Sequence, residues 1–395
     1  RIKNISGLEL VEKLNQKSAI NGSLPEKEFK ARNSVLTDLF EQKHGKTIYN
    51  IFITILVMVF INKVIYDYFV FGKLSVGLNL IQWSFQGPSS IFCLWLQMFA
   101  TTLIMFFCFH FWANQRIKYI PNTLGKKCWD YGWLCAFISY EILLLSLPAM
   151  KLLEHFVPPV LSVALLLDQI RMMMKTYAFV RTNTPKALAY KPHQSGDEKE
   201  TSPCPEFSKY LYFLFAPVLV YRDNYPRYAE IRWKFVTWYF MEVIVLTFYL
   251  AFIYEKFFIP IHKNFGLPDD QKTMFECLIV GIFASIIPST MMLILLVYIL
   301  LHSWMNGFAE MLRYADRMFY QDWWNSTSYA VFFRKWNVLV QDWLFTYIYK
   351  DVPFRKRWIS MLTVILISAL FHEYAFTLAL RYFFPVVFIE FAGIG

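Results

Sequence analysis

WISMLTVILISALFHEYAFTLAL, residues Trp358–Leu380, is apolar enough to be a membrane span, yet it carries His372 and Glu373 in its second half. As a helix rising 1.5 Å per residue it crosses a hydrocarbon core of about 30 Å and puts His372 about 20 Å into it. An ionisable side chain at that depth is costly, so His372 is expected to face a protein interior or cavity and to be functional. Imidazole is also the side chain best suited to exchanging a proton near neutral pH. The plainer alternative is a packed histidine satisfied by a neighbouring backbone or hydroxyl group.

The rest of the chain agrees with a membrane reading. Of 395 residues, 57% are hydrophobic and 19% aromatic, with a mean hydropathy of +0.37, too apolar for an ordinary soluble fold. Runs near Tyr49–Phe71, Ser89–Ala113, Trp129–Leu147, Phe235–Ile259 and Phe275–Leu301 are, like Trp358–Leu380, each long enough to cross a bilayer. Shorter runs at Val157–Leu167, Leu211–Tyr221 and Tyr329–Tyr349 read as tilted, re-entrant or interfacial pieces. Residues 1–46 mix charge with apolar residues at helical spacing: Leu8, Leu10, Val11 and Leu14, then Val35, Leu36, Leu39 and Phe40. They read as amphipathic cytosolic helices, suited either to association or to the membrane surface. Lys191–Pro205 is polar and rich in Pro, Gly and Ser, a linker composition. Beyond Leu380 too few residues remain for another crossing, which calls for a re-entrant piece or a longer natural chain.

The net charge of +10 flanks the spans, so it speaks of orientation, not of nucleic acid. Lys and Arg number nine before Tyr49, one between the first two spans, four at Arg116–Lys127 and seven at Arg171–Lys209. This alternation places the N-terminus, the Arg116 loop, the Arg171 loop and the His302–Arg357 segment in the cytosol. The six cysteines are scattered, without metal-ligand spacing, and read as buried or reduced thiols.

Elimination narrows the chemistry. There is no G-x-S-x-G elbow, no H-E-x-x-H site and no Gly-rich phosphate loop. His44, His155, His193 and His262 lie in polar segments or span flanks, and His110 and His302 at cytosolic span ends, which leaves His372 as the deep one. Asp67, Glu141, Glu242 and Glu373 form no obvious relay of the kind a transporter would offer. A second feature is the run Met318-Phe319-Tyr320-Gln321-Asp322-Trp323-Trp324-Asn325-Ser326-Thr327, followed by Arg334-Lys335-Trp336-Asn337. An interfacial aromatic belt would explain the rings but not Asp322, Asn325 and Asn337 among them.

The run Phe319-Tyr320-x-Asp322-Trp323-Trp324-Asn325, with Trp336-Asn337 and His372-Glu373-Tyr374 downstream, resembles the membrane-bound O-acyltransferase superfamily. It is most similar to the sterol O-acyltransferase (acyl-CoA:cholesterol acyltransferase) branch, through Asp168-Gln169-Ile170-Arg171, Tyr210–Pro217, Tyr221-Arg222-Asp223, Tyr225-Pro226-Arg227 and Phe308–Arg313. The likeness runs from about Val35 to the C-terminus. It implies an all-α polytopic transmembrane bundle with re-entrant or interfacial helices and a central reaction chamber, residues 47–395 forming the acyltransferase domain. It further implies an enzyme of the endoplasmic-reticulum membrane, N-terminus cytosolic, that acylates a sterol from acyl-CoA as co-substrate with no bound cofactor or metal. A homodimer or homotetramer is expected, with residues 1–46 aiding association.

By the same resemblance His372 is the catalytic base and Asn337 assists it. A sterol hydroxyl is a poor nucleophile, so removing its proton as it attacks the thioester is the chemistry required. The developing oxyanion wants a donor, and the Asn337 amide can be one. Phe319, Tyr320, Asp322, Trp323, Trp324, Asn325, Trp336, Tyr349, Arg357 and Ser368 are the implied substrate-binding residues, with Tyr320, Trp323 and Trp324 in the acyl-CoA channel. Ser368, one turn before His372, can orient the ring or simply permit close helix packing. Lys350, Arg355, Lys356 and Arg357 stand where CoA phosphates want partners. The branch often has Asn at Val331, His at Gln341 and Lys at Arg357; with Gln341, no second histidine supports catalysis on that helix. Diacylglycerol or fatty-alcohol acylation is the nearest rival reading, and a non-catalytic lipid transporter the distant one.

Overall fold

The computed structural model describes residues 26–72, 76–120, 123–190, 204–263, 274–352 and 356–394. In chain order the helices are α1 (Val35–Glu41), α2 (Lys43–Phe71), α3 (Leu78–Ser84), α4 (Pro88–Lys118), α5 (Leu124–Glu154), α6 (Pro159–Ala189) and α7 (Phe207–Phe215). Then come α8 (Trp233–His262), α9 (Met274–Met311), α10 (Tyr329–Trp336), α11 (Val338–Tyr347), α12 (Arg357–Leu380) and α13 (Val386–Ile394). Among the described residues the only β pairing is two isolated bridges, Arg32 with Asp316 and Arg227 with Tyr314. The protein is an all-α polytopic membrane bundle.

Six helices are long and apolar enough to span: α2, α4, α5, α8, α9 and α12. Each contains one of the six expected runs, extended by polar residues at one or both ends. Their outer faces carry bare hydrocarbon, Phe69 being 79% and Ile287 71% exposed, a surface that only lipid or another apolar face can cover. Local signals set the ends. Gly72 adopts a left-handed conformation (φ 64°) and returns its N–H to the Tyr68 carbonyl at 3.0 Å, closing α2. Thr123 accepts the Lys126 N–H and opens α5.

Val157–Leu167 is not a short re-entrant piece. It opens α6, a helix of 31 residues and the most buried of the bundle. Hydropathy missed its length because Gln169, Lys175, Thr176 and Asn183 interrupt the apolar run, yet all four are buried. Gln169, Lys175 and Thr176 can be buried because neighbouring helices meet their polar groups, while Asn183 donates to the Phe179 carbonyl of its own helix. Gln169 Nε2 donates to the Leu144 and Leu145 carbonyls of α5 at 2.7 and 2.9 Å. Lys175 Nζ donates to the carbonyls of Phe213, Leu214 and Ala216 at 2.6, 2.9 and 2.8 Å, capping the C-terminal end of α7 with a cation. The other two short runs behave as expected: Leu211–Tyr221 ends the nine-residue α7 and continues without regular structure, and Tyr329–Tyr349 breaks into α10 and α11.

The N-terminal segment departs from expectation where it is described; Leu8, Leu10, Val11 and Leu14, and most of Lys191–Pro205, lie outside the described residues. Residues 26–41 are laced to the body of the molecule. Arg32 N–H donates to the Ala315 carbonyl, Arg317 N–H to the Arg32 carbonyl, and the Arg32 side chain pairs with Asp316. Lys27 pairs with Asp342 at 2.6 Å and Glu26 with Arg222 at 2.9 Å. Val35 and Leu36 pack on the main core, and Phe40 lies against Tyr49 and His302. The apolar stripe expected to be free for association is therefore consumed within the chain.

Lys175→Met should test the central role of α6. The thioether fills the same space but leaves the Phe213 carbonyl without a donor, at a cost of about 1–3 kcal/mol, while the Leu214 and Ala216 carbonyls keep Arg171 and the Val218 N–H. A fall in thermal midpoint and in monodisperse yield from membranes is expected; unchanged stability would show that α7 is held by other means.

Candidate active site

The aromatic motif crosses between α9 and α10 as irregular backbone tied to the next elbow. Val338 N–H donates to the Phe319 carbonyl at 3.0 Å and Gln321 N–H to the Lys335 carbonyl at 2.8 Å, so the motif runs alongside the α10–α11 junction, where Asn337 sits. Asp322 pairs with Lys335 at 2.9 Å. Trp323 packs edge-on against Trp336 (4.8 Å) and Phe332 (5.9 Å), building an aromatic block immediately before Asn337. Asn325 closes a 3-10 turn over Trp323–Asn325, and Trp324 is 41% exposed. Tyr349 lies in a second 3-10 turn, stacked on Phe345 at 5.4 Å and packed near the start of α12. Arg357 opens α12 with an exposed side chain, as does Lys356 before it; Arg355 lies outside the described residues.

Asn337 is held by its own helix. Its Oδ1 accepts the Val340 N–H at 3.3 Å as the N-cap of α11. With the oxygen fixed by a backbone donor, the amide nitrogen is left as the free end, a donor in a known place. His372 is held in the complementary way. Its Nδ1 lies 2.7 Å from the Ser368 carbonyl, so Nδ1 carries the proton and Nε2 is the bare, basic nitrogen. The Ser368 backbone, not its hydroxyl, orients the ring.

Within the single chain the His372 ring is exposed, where depth in the sequence implied an enclosed cavity. One face is covered by Phe391 of α13, with ring centroids 4.5 Å apart, and Phe391 also meets Phe333 of α10 at 5.4 Å. Phe333 is one turn before Asn337. Thus α13 is the link between the histidine helix and the asparagine elbow, although no hydrogen bond joins His372 to Asn337 among the described residues. The next two motif residues hold this arrangement. Glu373 is buried and accepts the Phe388 N–H at 3.1 Å, capping the start of α13. The Tyr374 hydroxyl lies 2.7 Å from the Leu145 carbonyl and 2.9 Å from Gln169 Oε1, fastening α12 to α5 and α6.

The fully buried histidine is His302, not His372. It sits in a π-helical stretch of α9, Tyr298–Trp304, a local over-wide turn often found near functional sites. Its Nδ1 lies 2.7 Å from the Tyr320 hydroxyl and 3.3 Å from Ser34 Oγ, joining α9, the aromatic motif and the N-terminal segment. Tyr320 and Phe319 are wholly buried, Tyr320 directly against this imidazole. Burial pushes the Tyr320 phenol up, which keeps it a neutral donor and acceptor. The signal was present in the sequence as Ser303, Asn306 and Glu310 at helical spacing after His302, a polar stripe at the end of an apolar run.

Comparison with known proteins places the chain in a family. The model of the MBOAT, membrane-bound O-acyltransferase family matches residues 132–394. Sterol O-acyltransferase 1 of Mus musculus is 39% identical over 373 residues, 93% of this chain and 67% of that protein. Sterol O-acyltransferase 1 of Macaca fascicularis is 37% identical over 93% of the chain and 66% of its own length. Sterol O-acyltransferase 2 of Homo sapiens is 36% identical over 94% and 68%. The chain spans about two thirds of the length of the curated relatives it matches. With a matched region that takes in the α10–α11 elbow, α12 and most of α13, the chain belongs to the membrane-bound O-acyltransferase family.

Proposed function

We propose that this protein transfers a long-chain acyl group from acyl-CoA to the 3β-hydroxyl of a sterol in the endoplasmic-reticulum membrane, releasing a steryl ester and CoA. The observation that carries this reading is the paired preparation of His372 and Asn337: a bare imidazole nitrogen on α12 and a free amide donor at the α11 cap, linked through Phe391 and Phe333. His372 Nε2 takes the hydroxyl proton as the sterol oxygen attacks the thioester carbonyl. The tetrahedral oxyanion is met by the Asn337 amide. Collapse of the intermediate expels the CoA thiolate, which recovers the proton from the imidazolium. Acyl-CoA serves as co-substrate, and no metal or bound cofactor takes part. The sterol O-acyltransferase relatives, alike over more than nine tenths of this chain, support sterol as the acceptor.

His372→Ala should lower ester formation by about 10²- to 10⁴-fold with expression intact. Asn337→Ala should cost a comparable factor through the oxyanion. Turnover is to be measured on purified protein with labelled oleoyl-CoA and cholesterol; near-normal turnover by the His372 variant would sink the mechanism.

Acceptor geometry gives a second test. A rigid ring system presents its hydroxyl to the base in one orientation, and a misplacement of about 1 Å costs roughly 100-fold. A 3α-epimer should therefore be a far poorer acceptor than its 3β-partner. Equal acylation of both, or diacylglycerol preferred over every sterol, would remove the sterol from the proposal and leave acyl transfer.

Sidedness is the third. CoA is anionic and cytosolic, and the Lys and Arg alternation puts the N-terminus and the aromatic motif on that side. A cysteine placed at Gln321 should be labelled once the plasma membrane alone is opened. Labelling that needs the internal membrane opened would place the motif away from CoA and overturn the assignment.

A further inference from the structure

Two stretches that acyl transfer does not use, Tyr225-Pro226-Arg227 and Glu310–Arg313, meet on one face of the molecule. Tyr228 N–H donates to the Arg313 carbonyl at 2.8 Å and Ala315 N–H to the Pro226 carbonyl at 3.1 Å, around the antiparallel bridge of Arg227 with Tyr314. Together they wall an open groove of about 550 Å³ that also takes in Tyr212, Glu230, Trp233 and Met311.

The groove's level follows from its neighbours. The helix α8 begins at Trp233 and α9 ends at Met311, so the groove lies between the same-side ends of two antiparallel spanning helices. Trp233 is 63% exposed there, as suits a ring at a membrane boundary.

Charge sets the groove apart from its surroundings. Nearby arginines have carboxylate partners: Arg32 pairs with Asp316, Arg222 with Glu26, and Arg232 and Arg317 share Glu310. Among the described residues neither Arg227 nor Arg313 has a carboxylate partner. Arg227 lies over the Tyr212 ring at 3.7 Å. Arg313 Nη1 donates to the Ala229 carbonyl at 3.0 Å, from a left-handed backbone (φ 56°) that ordinarily favours glycine. Both cations act on one phenol: burial pushes Tyr212 up, and Arg227 and Arg313 pull it back. These contacts leave most of the five N–H donors of each guanidinium unspent. Glu230, the one carboxylate of the lining, offsets only one of the two charges.

We propose that this groove binds the phosphate of an anionic membrane phospholipid, held by Arg227 and Arg313, with Trp233 and Met311 against the start of its acyl chains. Planar guanidiniums match phosphate oxygens two at a time, and a site at the rim of two spans is filled most directly from the bilayer. The site is separate from the acyl-transfer residues, and its test needs no turnover.

The full chain, released from vesicles of mixed phosphatidylcholine and phosphatidylglycerol, is to be examined by native mass spectrometry for retained lipid. Phosphatidylglycerol should be retained in preference, and an Arg227→Gln, Arg313→Gln double variant should lose that preference by roughly tenfold to thirtyfold. Glu230→Gln removes an exposed charge, leaves the fold alone and should strengthen retention. Absence of preference in the parent protein, or equal retention by the double variant, would overturn the proposal. So would displacement by sn-glycerol 3-phosphate at equal affinity, which would make the groove a site for soluble phosphate. Should the double variant fail to fold, unchanged retention by Glu230→Gln would overturn it alone.

Discussion

The interior of this protein depends on satisfying the polar groups of α6. A helix carrying Gln169, Lys175, Thr176 and Asn183 cannot stand in hydrocarbon, where each orphaned group costs several kcal/mol. It can stand in the middle of a bundle if its neighbours supply partners, as they do for Gln169, Lys175 and Thr176. Lys175 takes three carbonyls at the end of α7, Gln169 bridges to α5, and Thr176 donates to Glu141 at 2.7 Å. The lipid-facing spans α4, α5 and α12 pack directly on this helix, while α2, α8 and α9 share a second core around Leu56, Phe252 and Leu295. Because the Tyr374 hydroxyl also reaches Gln169, the same polar spine positions α12 and the histidine on it.

From that anchor the site is built by successive local constraints. Glu373 and Tyr374, adjacent to His372 in sequence, turn to different tasks: one caps α13 and the other holds α12 to the core. Phe391 of α13 then covers one face of the imidazole and touches the helix that ends at Asn337. On the other element, the Trp323–Phe332–Trp336 block stiffens the elbow whose cap fixes the Asn337 amide. Neither functional side chain depends on the other for its orientation. Each is set by backbone of its own helix.

The N-terminal segment belongs to this construction. Through Ser34 it reaches His302, and through Arg32 and Lys27 it pairs with Asp316 and Asp342 on the chain before and after the aromatic motif. Burial pushes the Asp342 carboxyl up while Lys27 pulls it back, so the strap holds a carboxylate that would otherwise be poorly tolerated. His302 thus stands at the meeting point of strap, span and motif.

The sequence by itself determined the class, the six crossings and the identity of the chemical groups. A bilayer demands about twenty apolar residues per helix, and that demand is written in one dimension; Tyr49–Phe71 or Phe275–Leu301 needs no partner to be recognised. His372 stood out for a related reason, since an ionisable side chain among apolar residues is costly unless used, whereas Asn337 and the aromatic run took their expected roles from the family resemblance. Only the tertiary structure decided what is buried. Composition placed His302 at a span end and His372 in an enclosure, and packing reversed them, because depth along one helix says nothing about which neighbours cover it. Likewise α6 hid behind its own polar residues, and the partners of Gln169 and Lys175 come from residues 24 to 41 positions away. The Val35–Phe40 stripe looked free until the core it covers was seen. Hydropathy records what a residue would cost in lipid, and only the folded chain says whether it is there.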